Sequence, residues 1–215
     1  MSKGLVIHQL SVGPLQVNCF LVVCQETRDT MVVDPGEDAD RILDVACREG
    51  MKISTVVNTH GHFDHIGANQ RVIEATGAKL MLHAADLSLL QNARKHAEVY
   101  GLSVSPSPAP DRFLAQGDTF MIGTNLFRVS HVPGHSAGSI CLLSDRHLFV
   151  GDVLFAGSIG RTDLPGGDFE LLIKGIREHL FCLPDETIVH PGHGPDTTIG
   201  QERRHNPFVG NEAGH

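Results

Sequence analysis

The segment Thr59-His60-Gly61-His62-Phe63-Asp64-His65 places three imidazoles and a carboxylate within a few residues of one another. The run before it, Ile53-Ser54-Thr55-Val56-Val57-Asn58, is apolar and β-branched and reads as a buried strand. From Ile66 onward the pattern is helical, so the donor-rich segment is a strand-to-helix loop. Its spacing is restrictive. His60, His62 and His65 are separated by steps of two and three residues, and no single helix face presents all of them. A zinc-protease helix of the H-E-x-x-H kind is therefore excluded. A loop can instead point His60 and His62 one way and Asp64 and His65 the other, offering ligands to two neighbouring metal ions.

A loop of this kind needs a rigid support. With 215 residues, 41% of them hydrophobic, the chain reads as one globular domain over 1–215 with a sizeable core. It has no unbroken apolar stretch of transmembrane length, which argues against a membrane partner. Met1-Ser2-Lys3-Gly4 leads into strand-like sequence without the apolar core and cleavage site of a signal peptide. Five cysteines, at 19, 24, 47, 141 and 182, are odd in number and lack a CxxC pair, so they read as buried free thiols in a reducing cytosol. The expected location is cytoplasmic. A net charge of −8 argues against nucleic acid as a partner.

Along the chain, 4–10, 17–24 and 30–33 read as strands, the last ending in the turn Asp34-Pro35-Gly36. Asp38 is placed to cap a helix over 39–49 that stops at Gly50. The donor loop follows strand 53–58. A helix to Thr76, a strand at 79–82 and an amphipathic helix over 84–100 complete the first half, and the Pro/Ser loop 103–110 leads to the second. There, strands at 112–115, 119–122 and 125–131 precede the loop His131-Val132-Pro133-Gly134-His135-Ser136-Ala137-Gly138. A hairpin of strands 139–144 and 147–150 ends in Gly151-Asp152; a glycine-rich loop, a helix from its cap Asp168 to Leu180 and a strand at 187–189 lead to His190-Pro191-Gly192-His193-Gly194. Strands and helices repeated in this way suggest two layers packed face to face with helices outside.

Separate strand ends thus carry His60/His62/Asp64/His65, His135, Asp152 and His193, an arrangement suited to building a reactive site on a rigid sheet. The pattern H-x-H-x-D-H followed by a later His, Asp and His resembles the metallo-β-lactamase-fold hydrolases from about residue 5 to 200. The resemblance implies a four-layer αββα sandwich. It also implies one metal site at His60, His62 and His135, a second at Asp64, His65 and His193, and Asp152 bridging them, with Asp64 and Asp152 as the catalytic carboxylates. Within the family, Thr59–His65, His131–Ser139, Gly151-Asp152-Val153-Leu154-Phe155 and Pro191-Gly192-His193-Gly194 resemble the glyoxalase II-type hydroxyacylglutathione hydrolases. The tail from Thr197 to Phe208 resembles short bacterial members, which lack the C-terminal helical region that grips glutathione in longer ones. The activity this implies is hydrolysis of S-D-lactoylglutathione, a small-molecule glutathione thioester, to D-lactate and glutathione.

Five imidazoles and two carboxylates without a thiolate suit two borderline divalent ions, zinc first and iron or manganese as alternatives. Such a pair acidifies water and stabilises a carbonyl oxygen that develops negative charge. A thioester suits this chemistry, because its leaving thiolate, with a pKa of ~8.5, needs no strong general acid. Arg161, nine residues after Asp152, stands where longer relatives place a basic residue on the glycyl carboxylate of glutathione; the other reading is a structural ion pair with Asp163 or Asp168. His8 and His83 lie at strand ends and are candidates to orient ligand imidazoles. His131 and His190 read as local packing, and His96, His147, His179 and His215 as surface or structural. Alternatives on the same fold are a one-iron persulfide dioxygenase, a lactonase, a β-lactamase or an RNA-processing nuclease; outside enzymes, a metal-binding module.

Overall fold

The computed structural model describes residues 4–211; Met1–Lys3 and His215 lie outside the described residues. Two six-stranded sheets form its centre. The first half contributes β1 (Leu5–Val12), β2 (Val17–Cys24), β3 (Asp29–Val33), α1 (Ala39–Arg48), β4 (Lys52–Val57), α2 (Phe63–Ile66), α3 (Asn69–Thr76), β5 (Lys79–Leu82), α4 (Leu87–Val99) and β6 (Arg112–Phe113). Its sheet runs in sequence order, β1 to β6; β1, β2 and β3 are antiparallel, and β3 to β6 are parallel. The second half contributes β7 (Thr119–Ile122), β8 (Asn125–His131), β9 (Ile140–Ser144), β10 (His147–Gly151), the small hairpin β11 (Leu154–Phe155) and β12 (Ser158–Ile159), α5 (Phe169–Gly175), β13 (Ile188–Pro191), β14 (Thr197–Thr198) and α6 (Ile199–His205). Its sheet has the order β14-β13-β10-β9-β8-β7.

Side-chain alternation explains the layering. In β2, Phe20 and Val22 face the second sheet, meeting Phe127, Val129, Leu142 and Phe149. Their neighbours Cys19 and Leu21 face the opposite way, toward Ile42 and Ala46 of α1 and Val72 of α3. In the second sheet, Leu148 and Val150 pack on Leu172 and Ile176 beside α5 and on Ile199 of α6. In β2, β3, β9 and β10 both faces are buried, so these central strands read as nearly unbroken apolar runs. The result is the four-layer αββα sandwich, helix on sheet on sheet on helix. Among the described residues no helix is long and apolar enough to cross a membrane.

Several local expectations change. Asp38 does not cap α1: it has a left-handed backbone with φ of 55°, and its carboxylate accepts from the Gly13 N–H. Asp168 does cap its helix, accepting from Leu171 N–H, and the helix continues through a π-helical turn to Leu180. The cysteines are all free, but Cys47 and Cys182 are exposed and only Cys19, Cys24 and Cys141 are buried. The hairpin β11–β12, strand β14 and helix α6 are additions to the elements expected from sequence.

Candidate metal centre

The donors converge on one rim of the sandwich because each follows the end of a strand. β4 leads to the loop with His60, His62, Asp64 and His65; the β8–β9 connection carries His135; Asp152 follows β10 and His193 follows β13. Glycines make this convergence possible. Gly151 has φ of 52°, and a Cβ there would overlap Thr59 Oγ1. A Cβ at Gly192 would overlap Asp152 Oδ1 and crowd the His65 ring. At these positions the side chains of Thr59, Asp152 and His65 lie too close to the glycine backbone to admit a Cβ.

Two donor groups result. In the first, His60, His62 and His135 each offer a ring nitrogen, and His135 Nε2 lies 2.9 Å from His62 Nδ1. In the second, Asp64 Oδ2 lies 3.6 Å from His65 Nε2 and 3.5 Å from His193 Nε2. Asp152 stands between them. Its Oδ1 is 3.5 Å from His65 Nε2, and its Oδ2 is 3.7 Å from both His135 Nε2 and His193 Nε2.

Hydrogen bonds behind the rings fix which nitrogen faces the centre. His135 Nδ1 donates to the Arg161 carbonyl at 2.9 Å. His65 Nδ1 donates to Asp34 Oδ2 at 3.0 Å. His60 Nδ1 donates to Thr59 Oγ1 at 3.1 Å, whose own hydroxyl donates to Asp34 Oδ2 at 2.6 Å. His60 Nε2, His65 Nε2 and Asp152 Oδ1 are left buried with no hydrogen-bond partner. Buried polar atoms are almost always paired, so three such ligand-type atoms aimed into one space fit bound cations, one of which would replace the proton on His65 Nε2. Asp34, His60 and His65 also lie close enough to hold an ion, but the Asp34 oxygens already accept from Thr59 N–H, Thr59 Oγ1–H and His65. That carboxylate orients donors; it is not free to be one.

The electrostatics divide the same way. Burial, reinforced by His135, lowers His62 to about 4, and burial with His65 beside it pushes His60 well below its ordinary value. His65 is the reverse: burial opposes its charge, but Asp152, Asp64 and Asp34 outweigh it and raise it to about 10. Asp64 is held below the usual carboxylate range, burial being overcome by His65 and His193. The carboxylates that hold a proton on His65 would attract a metal cation equally, in competition with that proton.

A family model described as the metallo-beta-lactamase superfamily matches residues 12–193. This chain belongs to the metallo-beta-lactamase superfamily. A hydroxyacylglutathione hydrolase, GloC, of Haemophilus influenzae is 36% identical over 211 residues, covering 96% of this chain and 99% of the relative. Among solved structures, the BLEG-1 B3 metallo-beta-lactamase superposes with a TM-score of 0.89 at 38% identity, covering 95% of this chain and 99% of its own. A di-iron-bound form of TTHA1623 has a TM-score of 0.87 at 39% identity, covering 94% and 100%.

As a superfamily member the chain brings together all seven donors singled out by sequence: His60, His62, Asp64, His65, His135, Asp152 and His193. Arg161 takes the structural alternative in this state. Its Nε and Nη2 each lie 2.8 Å from an oxygen of Asp163, in an exposed two-pronged pair, while its carbonyl holds His135. Neither second-row candidate reaches a donor: the His83 ring stacks on His131, and His8 sits within β1. Two carboxylates that sequence reasoning missed, Asp34 and Asp86, do brace the donors, Asp34 at His65 and Asp86 at the N–H of Gly61 beside His60 and His62. Asp34 had a visible signal, since Met31-Val32-Val33-Asp34 repeats the apolar run and terminal carboxylate of Val150-Gly151-Asp152. Asp86 had none, standing at the start of an ordinary helix. Beside Asp64 opens a cleft of about 150 Å³ with Leu15, Phe63, Leu102, Val104 and Glu37 among its walls.

Proposed function

We propose that this chain is a binuclear metal-dependent hydrolase of thioesters whose substrate is S-D-lactoylglutathione, split by water into D-lactate and glutathione. The observation that carries this reading is the pair of complete donor groups joined by one carboxylate, Asp152. In it, His60, His62 and His135 would hold one divalent ion, Asp64, His65 and His193 would hold the other, and Asp152 would serve both. When bound, two such ions supply an acidified water and a Lewis acid for the carbonyl oxygen. Zinc suits the nitrogen- and oxygen-only donor set, and iron or manganese does too; the di-iron form of TTHA1623 supports iron.

The chain's own residues do the rest. Asp34, Thr59 and the Arg161 carbonyl keep the imidazole protons on the outer nitrogens, so lone pairs face inward. Leu15, Phe63 and Val104 give the cleft beside Asp64 an apolar side suited to a small uncharged acyl group. Arg161 would receive a carboxylate of the glutathione portion by exchanging it for Asp163. The thiolate leaves without a protein acid, its pKa of ~8.5 being close to neutral pH. The GloC relative of full length supports the substrate choice.

A second reading, β-lactam hydrolysis, is favoured by the likeness to BLEG-1. One panel separates the two: metal-replete protein assayed on S-D-lactoylglutathione, a simple lactone and a β-lactam. Turnover of the thioester with little on the β-lactam is expected. The reverse order would replace the reading by its rival.

A further inference from the structure

We infer that Asp86 is a positioning residue for the first metal ion, holding the two loops that carry His60, His62 and His135 in register with each other. The inference rests on the two-ion reading above. Asp86 occupies the position just before α4, where an aspartate ordinarily accepts from the first free N–H groups of its own helix. It makes no such bond. Its carboxylate, fully buried, turns away from the helix and spans both donor loops. Oδ2 accepts from Gly61 N–H at 2.9 Å, between His60 and His62. The same Oδ2 accepts from Ser136 Oγ at 2.6 Å, next to His135, and Oδ1 accepts from Gly138 N–H at 2.6 Å.

The glycines agree with this. A Cβ at Gly138 would lie 2.7 Å from Asp86 Cγ, and one at Gly61 would lie 2.8 Å from the Asp86 carbonyl oxygen. Both loops are therefore shaped around this residue. The β8–β9 loop is stiffened further where Ser136 Oγ meets Ser139 Oγ at 2.7 Å. The second donor group is tethered by other means. His65 is held by Asp34 and, through its carbonyl, by Asn58 Nδ2 at 3.1 Å. The His193 loop is held by Asn18 Nδ2, which donates to the carbonyls of Pro191 at 3.0 Å and Gly194 at 2.8 Å. Loss of Asp86 should thus act on one ion and spare the other.

Asp86→Asn is nearly isosteric but puts an NH2 where an oxygen accepted, so the N–H of either Gly61 or Gly138 loses its acceptor whichever way the amide turns. Zinc affinity is measured by chelator competition in two backgrounds that each retain one complete group: His193→Ala, leaving the first, and His135→Ala, leaving the second. Residues behind a ligand shell typically change metal affinity ten- to a hundredfold. Asp86→Asn should weaken zinc binding at least ~10-fold in the His193→Ala background and less than ~3-fold in the His135→Ala background. Ser136→Ala, which removes a single donor, should act in the same direction and more weakly, and it decides the matter if Asp86→Asn fails to fold. Equal weakening in both backgrounds, or none in either, overturns the positioning role. A wild-type chain that binds fewer than two ions overturns the two-ion reading first, and this inference with it.

Discussion

In the metal-free chain His62 resists protonation down to about pH 4, while His65 keeps its proton up to about pH 10. An unfolded histidine titrates near ~6.5, so the two residues act on stability with opposite sign. Between about 6.5 and 4, the unfolded chain binds a proton at residue 62 that the folded chain refuses, and stability falls as pH falls. Between about 6.5 and 10, the folded chain keeps a proton on His65 that the unfolded chain releases, and stability falls as pH rises. These two groups therefore set a maximum near pH 6.5. Thermal unfolding of chelator-treated protein across this range should show such a maximum, and zinc should abolish its alkaline side. A profile unaffected by zinc would contradict the assignment. Arg161 offers a separate test, since Arg161→Ala leaves its carbonyl to hold His135. On the thioester substrate it should raise KM roughly tenfold with kcat little changed, as expected when ground-state and transition-state binding are lost together. Asp163→Ala should lower KM by freeing the guanidinium. Steady-state kinetics on both variants decide whether the pair is a substrate anchor or only a surface bridge.

At the level of elements, α6 shows why part of the fold was hidden. Its buried face is Ile199, Gly200 and Glu202, one of them a carboxylate, and such a sequence has no apolar period to read. Tertiary hydrogen bonding takes the place of that signal. Glu202 accepts from Gly157 N–H at 2.9 Å and Thr197 Oγ1 at 2.6 Å, and Asn206 Nδ2 donates to the Ser158 carbonyl at 2.9 Å. The helix thereby braces the β11–β12 hairpin, whose two-residue strands were equally invisible. Glu202→Ala should destabilise the fold by about 2–3 kcal/mol, because buried donors lose their acceptor; urea unfolding of metal-loaded protein measures it, and a change within error would remove the brace. The strands β2, β3, β9 and β10, by contrast, were legible because both their faces are buried and their apolar runs are nearly unbroken. The seven donors were legible because they are residue types that bind metals, set in loops that follow strand ends. Asp86 was not, since its partners are backbone N–H groups of loops distant in sequence, which leave no pattern of residue types.

For the molecule as a whole, the centre joins the two halves: Asp64 and His65 come from the first, and His135, Asp152 and His193 from the second. A bound ion therefore favours the assembled sandwich over any unfolded chain. At an ion concentration 1,000 times the dissociation constant the gain is about 4 kcal/mol, which for a chain of this size corresponds to ~8–16 °C in Tm. Exhaustive chelation should lower Tm by that much and zinc should restore it; a Tm indifferent to chelator would mean the donors bind no ion strongly. The cleft beside Asp64 belongs to a different part of the architecture. Apart from Phe63 and Asp64, its walls include two surface turns, around Leu15 and around Val104, which carry no donor and no tether of a donor. Under the proposed reading those turns can change from one relative to another without touching a metal donor, and likeness along the full chain is compatible with relatives that bear the names of a hydroxyacylglutathione hydrolase and of a metallo-beta-lactamase.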